Sequence, residues 1–156
     1  MSTLRILHSA DLHLDSPFEG LTRGKATIRR AEQRQLLTRM AELARTENVD
    51  LVLLAGDLLD SESTYLETGE ELLRSLQGMG VPVFIAPGNH DHISHRSPYT
   101  RLKLPGNVHV FTENEISCME LPELGARVYG AAFTDTKSRA LLSGFTAERA
   151  EGVFNI

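Results

Sequence analysis

One stretch of the sequence decides the fold: residues 50–60, which read DLVLLAGDLLD. A continuous apolar run over 51–55 is followed at once by Gly56, and then by Asp57 and Asp60. An apolar run without alternation is typical of a parallel strand that is covered on both faces. Because glycine allows a sharp turn, the chain can change direction where the strand ends. We therefore predict a buried strand with two carboxylates on the loop that follows it.

The same arrangement occurs twice more. A strand-like segment over 4–8 precedes Asp11 and His13, and another over 81–86 precedes the string GNHD at 88–91. With helices between them, the order β-α-β-α-β favours one mainly parallel sheet with right-handed crossovers. The three polar strings (residues 11–13, 56–60 and 88–91) would then meet at the carboxyl edge of this sheet, where open α/β sheets bind ligands.

The two connecting helices are predicted from apolar spacing. Residues 26–47 carry Leu36, Met40, Leu43 and Ala44 on one face. Residues 65–77 carry Leu66, Leu72, Leu73 and Leu76, spaced to face a core.

The pattern changes after Tyr99. Short strand-like pieces over 108–111, 116–121 and 127–133 are separated by turn residues, which predicts an antiparallel extension of the sheet. Asp135 is predicted to begin a short helix that runs to residue 142. Residues 153–156 have the pattern of a further buried strand. The single cysteine, Cys118, lies in an alternating apolar setting that predicts a buried thiol.

Composition limits the class of protein. The chain has 156 residues, of which 41% are hydrophobic and 24% charged, as expected for one soluble globular domain over 1–156. Its net charge of −5 excludes a surface that is positive throughout, but local basic patches remain compatible with nucleic acid. Apolar stretches fall far short of the roughly 20 residues of a membrane span, and no signal-peptide pattern is present. We expect a cytoplasmic location and no membrane association.

The side chains of the three strings suit divalent cations such as manganese, iron or zinc. Asp11 and His13 are two residues apart, so in an extended chain both point to one side and can hold one ion. A carboxylate such as Asp57 can bridge two ions, which lie about 3.5–4 Å apart in two-metal sites. Asn89 offers a neutral amide oxygen.

His90 follows Asn89 and is predicted to act as a general acid for a leaving alkoxide. Asp60 is placed to accept a hydrogen bond from the His90 imidazole, which would fix its tautomer and favour its charged form. Each string alone also fits an ordinary turn or a solvated loop. The presence of all three behind successive strands of one α/β unit favours a metal site.

Basic residues are concentrated in the segment 23–45, which holds seven of the 16 Lys and Arg residues. The four at its start are candidates for contact with a DNA backbone, because they lie near the predicted edge of the site: Arg23, Lys25, Arg29 and Arg30. A solvated helix face is the alternative.

The remaining histidines leave alternatives open. His8 either supports the metal ligands or is a core histidine. His92 and His95 either contact substrate phosphates or are solvated on a loop. His109 receives no function.

The order Asp-x-His, Gly-Asp-x-x-Asp, Gly-Asn-His-Asp resembles the first three motifs of the calcineurin-like metallophosphoesterase superfamily. The surrounding sequence, HSADLHLDSPF and AGDLLD, is most similar to its DNA-repair exonuclease branch (SbcD/YhaO-like), and the motifs cover residues 4–92. This resemblance implies an α/β layered αββα sandwich. The chain would supply its N-terminal β-α-β-α-β half and short antiparallel strands.

The resemblance also implies roles for individual residues. Asp11 and His13 would bind the first metal, Asp57 would bridge, and Asn89 would bind the second. His90 would protonate the leaving group or stabilise the transition state, with Asp60 orienting it. The implied cofactors are two divalent ions, with manganese expected and iron or zinc as alternatives. The implied activity is metal-dependent hydrolysis of DNA phosphodiesters by an exonuclease of DNA repair. A coiled-coil ATPase partner and homodimerisation are implied as well.

One departure from the family pattern limits this inference. Family members add a strand-borne histidine and a later Gly-His-x-His string, whereas no histidine follows His109 here. We therefore expect the domain to be incomplete at its C-terminus and the chain to have little turnover alone. Two alternatives stay open. One is a phosphatase or cyclic-nucleotide phosphodiesterase of the same superfamily, and the other is a non-catalytic fragment that acts as an interaction module.

Overall fold

The computed structural model describes residues 3–137 and 141–156, which form two sheets and two long helices. In chain order the elements are β1 (Ile6–Ser9), α1 (Arg23–Thr46), β2 (Leu51–Ala55), α2 (Leu66–Gly78), β3 (Val83–Ala86), the single-turn helix α3 (Pro98–Arg101), β4 (Val108–Val110), β5 (Ser117–Leu121), β6 (Ala126–Gly130) and β7 (Phe154–Asn155). A 3₁₀ turn at Pro122–Leu124 joins β5 to β6.

The first sheet has the order β1-β2-β3-β4, and all of its neighbouring strands are parallel. The predicted parallel unit of the first three strands is confirmed. The strand predicted over 108–111 is present as β4, but its predicted antiparallel direction is wrong, because β4 pairs parallel with β3 and extends the same sheet. The short helix α3, which the sequence pattern did not predict, lies on the connection between these two strands.

Alternate residues of β2 and β3 face different layers. Val52, Leu54, Val83 and Ile85 belong to the main core, which also contains buried residues of α1 and α2. Leu53 and Phe84 instead contact the second sheet. Strands covered on both faces explain the continuous apolar run that the sequence shows.

Helix α1 packs through a face rotated by one residue from the predicted one. Leu37 and Ala41 are buried together with Ala44, which was predicted, while Leu36 and Leu43 are 38% and 45% exposed. A Cβ added at Gly78 of α2 would lie 4.0 Å from the Ala41 side chain, so small residues allow the two helices to approach closely. Similarly, Leu66 is 75% exposed at the start of α2, whereas Leu72 and Leu76 are fully buried.

The second sheet has the order β5-β6-β7 and faces the first. Strands β5 and β6 form the predicted antiparallel hairpin, but in a sheet of their own, and β7 pairs parallel with β6. Phe84 and Phe111 meet Val128 of β6 in a small apolar cluster between the sheets, and Ile156 packs against it. The described residues thus supply helix, sheet and sheet layers, and the predicted α/β sandwich class is confirmed.

Two local predictions in this half are corrected. Cys118 is exposed, because the outer face of β5 is not covered by the described residues. The strand predicted over 153–156 is present, yet its Phe154 is 38% exposed. The helix predicted over 135–142 spans residues 138–140, which lie outside the described part of the chain. Among the described residues, no helix combines the length and the apolar character that crossing a membrane requires.

Candidate metal centre

The loops after β1 and β2 are joined by backbone hydrogen bonds beyond the strand ends. The N–H groups of Asp11 and His13 donate to the carbonyls of Gly56 and Asp57, over 3.0 and 2.9 Å. A single parallel bridge between Leu14 and Leu59 continues this pairing. The first two polar strings are therefore fixed side by side, as the sheet order predicted.

The backbone at these strings is not extended as predicted. Asp11, His13 and Asp57 have φ angles of 54°, 44° and 47°, in the left-handed region. This conformation costs a non-glycine residue about 1–2 kcal/mol and persists where surrounding contacts enforce it. Here the inter-loop hydrogen bonds enforce it. The side chains converge because of these turns, and not because of strand alternation.

The third string approaches the second so closely that glycine is required at position 88. A Cβ on Gly88 would lie 2.2 Å from Asp57 Oδ1 and 2.6 Å from its backbone nitrogen. The carboxylate that occupies this space accepts a hydrogen bond from the backbone N–H of His90, at 2.9 Å. Asp57 is therefore held between the loops after β2 and β3.

Asp91 is a buried carboxylate that supports both loops, and its role was not predicted from the sequence. It is fully buried and accepts hydrogen bonds from the backbone N–H groups of Gly88, Leu58 and Leu59. The Tyr99 hydroxyl donates to it over 2.5 Å. The signal in the sequence was the one acidic residue of the third string, which stands at its end. Burial, with the added effect of the Asp91 charge, raises the pKa of Tyr99 well above its ordinary value.

Three possible metal donors converge at this point. His13 Nε2 lies 3.9 Å from Asp11 Oδ1 and 3.9 Å from Asp57 Oδ2, and the three ligand atoms all lie within 4.8 Å of one another. Two ligand atoms that are each about 2.1 Å from one ion are separated by at most about 4.2 Å. The spacing from the imidazole to each carboxylate, and the oxygen and nitrogen donor set, thus fit one divalent cation.

Asp60 makes a different contact from the predicted one. Its Oδ1 lies 2.9 Å from His13 Nδ1, within hydrogen-bond distance, but 4.0 Å from His90 Nδ1. His90 Nδ1 instead faces the backbone carbonyl of Asp60, at 3.2 Å. The predicted hydrogen bond between the Asp60 carboxylate and His90 is therefore wrong in this structure. The two imidazole rings meet edge to face, with centroids 4.8 Å apart.

Asn89 lies on an open cleft of about 440 Å³ whose lining also includes Asp60, His90 and His92. His92 is not a solvated loop residue, since its side chain is only 14% exposed. Its Nε2 lies 3.1 Å from Glu62 Oε1, and its Nδ1 faces the Asn89 carbonyl at 3.2 Å. A hydrogen bond from Ser94 lowers the pKa of Glu62, and the charge of His92 adds to this effect. His95, in contrast, is exposed.

The predicted DNA-contacting residues lie on α1 itself, which begins at Arg23. Arg29 pairs with Glu32 over 2.6 Å, and the Arg30 guanidinium stacks on the ring of Tyr65, 5.3 Å from its centroid. Arg23 and Lys25 are exposed. Among the described residues, no hydrogen bond or ion pair joins these four side chains to the metal donors.

Two histidines of the first sheet face the second sheet. His8 lines a cavity of about 100 Å³ between the sheets, together with Phe84 and Phe111, which favours the core interpretation. His109 packs against the same two phenylalanines, and burial lowers its pKa.

The parallel sheet and the donors at its carboxyl edge define the class of protein: an α/β sandwich with a candidate metal centre. The calcineurin-like phosphoesterase family profile matches residues 4–144, and the chain belongs to this family.

Individual relatives agree with this assignment. The chain is 33% identical to the uncharacterized metallophosphoesterase YhaO of Bacillus subtilis, over 94% of this chain and 37% of that protein. It is 27% identical to the SbcD component of the nuclease SbcCD of the same organism, over 78% of this chain and 31% of that protein. It is 36% identical to the DNA double-strand break repair protein Mre11 of Aeropyrum pernix, over 56% of this chain and 21% of that protein. The chain thus spans only about a fifth to just over a third of the length of these relatives.

Proposed function

We propose that this protein is a metal-dependent phosphodiesterase that acts on DNA, as an exonuclease of DNA repair. One observation carries the proposal: Asp11, His13 and Asp57 bring three ligand atoms within 4.8 Å of one another, next to the His90 imidazole. Carboxylate and imidazole donors at the carboxyl edge of a parallel sheet form a suitable site for hydrolysis assisted by metal ions.

The proposed site would hold two divalent ions, through Asp11 and His13 at the first, Asp57 between them and Asn89 at the second. Bound there, the ions would supply an activated water and stabilise the charge that develops on the phosphoryl oxygens. Manganese is the proposed metal, with iron or zinc as alternatives. The two-metal site of the family needs further ligands, and we propose that these come from residues outside the 156 of this sequence.

The chain's own residues would handle the leaving group. The backbone N–H of His90 is anchored on Asp57 Oδ1, and its Nδ1 faces the Asp60 carbonyl. This leaves Nε2 of the half-exposed ring available to protonate an alkoxide that leaves through the adjoining cleft. His90 would therefore act as the general acid, held by the Asp57 carboxylate through its backbone N–H and by the Asp60 carbonyl through its ring.

DNA as the substrate rests on the relatives, of which one is named as part of a nuclease and another as a DNA double-strand break repair protein. We also propose that Arg23 and Lys25 contact the DNA backbone, because both are exposed at the start of α1. Arg29 and Arg30 would contribute less, since both have partners within the chain. A coiled-coil ATPase partner, homodimerisation and a cytoplasmic location are proposals that rest on the same resemblance.

The first test is manganese binding by the 156-residue chain. Calorimetry and the electron paramagnetic resonance signal of the free ion measure this binding. We expect binding that is lost in Asp57→Asn. Glu123→Gln provides the matched control, since it removes the same charge from an exposed position near the β5–β6 hairpin. Binding that is absent, or equal in Asp57→Asn and the wild type, would overturn the proposed site.

The second test is hydrolysis at high protein concentration, with linear duplex DNA and a chromogenic phosphodiester as separate substrates. We expect weak, manganese-dependent cleavage of the DNA that is lost in His90→Asn and retained in Glu123→Gln. Cleavage of the small ester alone would favour a phosphatase or cyclic-nucleotide phosphodiesterase. Manganese binding without cleavage of either substrate would overturn catalysis by this chain and favour the interaction module.

A further inference from the structure

Asp60 contacts both imidazoles of the site, but through different atoms. Its carboxylate Oδ1 lies 2.9 Å from His13 Nδ1, and its backbone carbonyl lies 3.2 Å from His90 Nδ1. The distance from the carboxylate to His90 Nδ1 is 4.0 Å, which is too long for a hydrogen bond. Truncation of the Asp60 side chain would therefore remove the acceptor of His13 and leave that of His90 in place.

The contact with Asp60 determines which nitrogen of His13 is available to an ion. A carboxylate accepts hydrogen bonds, so Nδ1 of His13 carries the proton. The lone pair is then on Nε2, the atom that lies 3.9 Å from the nearest oxygens of both Asp11 and Asp57. The ring is thus presented to the proposed ion in the tautomer and orientation that a ligand needs.

Asp60 is itself held firmly. Its backbone N–H donates to the Leu14 carbonyl over 2.9 Å, one residue beyond His13. The preceding residue, Leu59, is buried and pairs with Leu14, and its N–H donates to the buried carboxylate of Asp91. A carboxylate on so fixed a backbone restricts the rotation of the His13 ring.

We propose that Asp60 is a positioning residue for His13, and that its carboxylate acts on metal affinity through this contact. The inference rests on the proposed function, because it requires His13 to be a metal ligand. It assigns to the Asp60 side chain a task different from the one expected, which was to orient His90.

The test is the manganese affinity of the 156-residue chain. We expect Asp60→Ala to weaken binding about 10–100-fold, the range found when the hydrogen-bond partner of a metal-bound histidine is removed. We expect Glu62→Ala to leave the affinity unchanged, because this carboxylate lines the same cleft but pairs with His92 and not with His13. If instead Asp60 acts through His90, both variants bind manganese like the wild type, and the inference is overturned.

Asp60→Asn separates the hydrogen bond from the charge. The amide oxygen still accepts from His13 Nδ1, so this variant is expected to bind more tightly than Asp60→Ala. Equal affinities of the two variants would show a purely electrostatic effect and would contradict positioning. Glu123→Ala is the control for loss of a remote carboxylate, and thermal unfolding without metal identifies any variant that fails to fold.

A metal-free readout tests the contact itself. In nuclear magnetic resonance spectra that detect imidazole nitrogens, the His13 Nδ1 proton is expected to be protected from exchange in the wild type and in Glu62→Ala. It is expected to exchange freely in Asp60→Ala, and the reverse pattern would contradict the inference. Failure of the proposed function has a different signature, since Asp57→Asn would then bind manganese like the wild type.

Discussion

In each sheet a glycine allows two chain segments to approach closely. The side chain next to the glycine is a carboxylate in the first sheet and an aromatic ring in the second. At the carboxyl edge of the first sheet, Gly88 leaves room for the Asp57 carboxylate, and in the second sheet Gly130 leaves room for the ring of Phe111. The first approach places hydrogen-bonding groups and metal donors side by side, while the second closes an apolar contact between the sheets. A glycine at a close approach therefore forms part of the candidate metal site in one region and of the apolar packing in the other.

The largest effect is expected for Gly88→Ala. A Cβ 2.2 Å from Asp57 Oδ1 and 2.6 Å from its backbone nitrogen forces the two loops apart. We expect manganese affinity to fall at least about 100-fold, the upper end of the range for changes outside the ligand set. Calorimetric titration measures this effect. Gly106→Ala is the matched control, because nothing lies within 4 Å of an added Cβ there, and a wild-type affinity in Gly88→Ala would contradict the close approach.

A smaller effect of a different kind is expected for Gly130→Ala. The added Cβ would lie 2.2 Å from the Phe111 ring, so the inter-sheet cluster must shift. Overpacking of this kind costs about 1–3 kcal/mol of unfolding free energy. Chemical denaturation measures the loss, while manganese affinity at a temperature where the chain is folded is expected to match the wild type. Loss of affinity in this variant would show that the two regions are not independent.

The buried Tyr99 hydroxyl gives the first region a pH-dependent contribution. Tyr99→Phe removes a hydrogen bond to the Asp91 carboxylate, worth about 1.5–3 kcal/mol near neutral pH. Because burial and Asp91 raise the pKa of Tyr99 above its ordinary value of 10.0, the folded chain favours the protonated form. The contribution of the Tyr99 hydroxyl to the free energy of unfolding is complete below pH 10. It is lost as the pH rises above 10, since Tyr99 then ionises first in the unfolded chain.

Unfolding free energies measured on both sides of pH 10 check this prediction. The difference between the wild type and Tyr99→Phe is expected to shrink at the higher pH. Tyr65→Phe is the control, because its ring is 53% exposed, and it is expected to change stability by less than about 0.5 kcal/mol. A difference in unfolding free energy between the wild type and Tyr99→Phe that stays constant with pH would contradict the hydrogen bond between Tyr99 and Asp91.

The smallest effect is expected at Cys118, on the outer face of the second sheet. The exposed thiol is expected to react with a chromogenic disulfide without denaturant. Cys118→Ser is expected to change the unfolding free energy by less than about 0.5 kcal/mol. A thiol that reacts only after denaturation would show that this face is covered.

Regular patterns of sequence were enough to predict the first three strands of the first sheet. The run over 51–55 indicated a strand buried on both faces, and the polar strings placed Asp11, His13 and Asp57 on adjoining loops. The rotation of α1 was not predictable, because Ala41 is buried by the close approach of α2 and not by its own hydrophobicity. The direction of β4 was missed for a similar reason, since three residues carry no signal of parallel or antiparallel pairing.

The sequence by itself determined the class of fold, the order of the strings and the kinds of ligand atom they offer, because these follow from local periodicity and residue chemistry. Only the tertiary structure decided how those atoms are paired. The Asp60 carboxylate bonds to His13, while His90 faces the Asp60 backbone carbonyl, and Asp91 supports two loops from a buried position. Both outcomes depend on the left-handed turns and inter-loop hydrogen bonds that form only when the parallel strands are assembled. Spacing along the chain identifies possible partners, while the fixed backbone selects among them over differences of about one ångström.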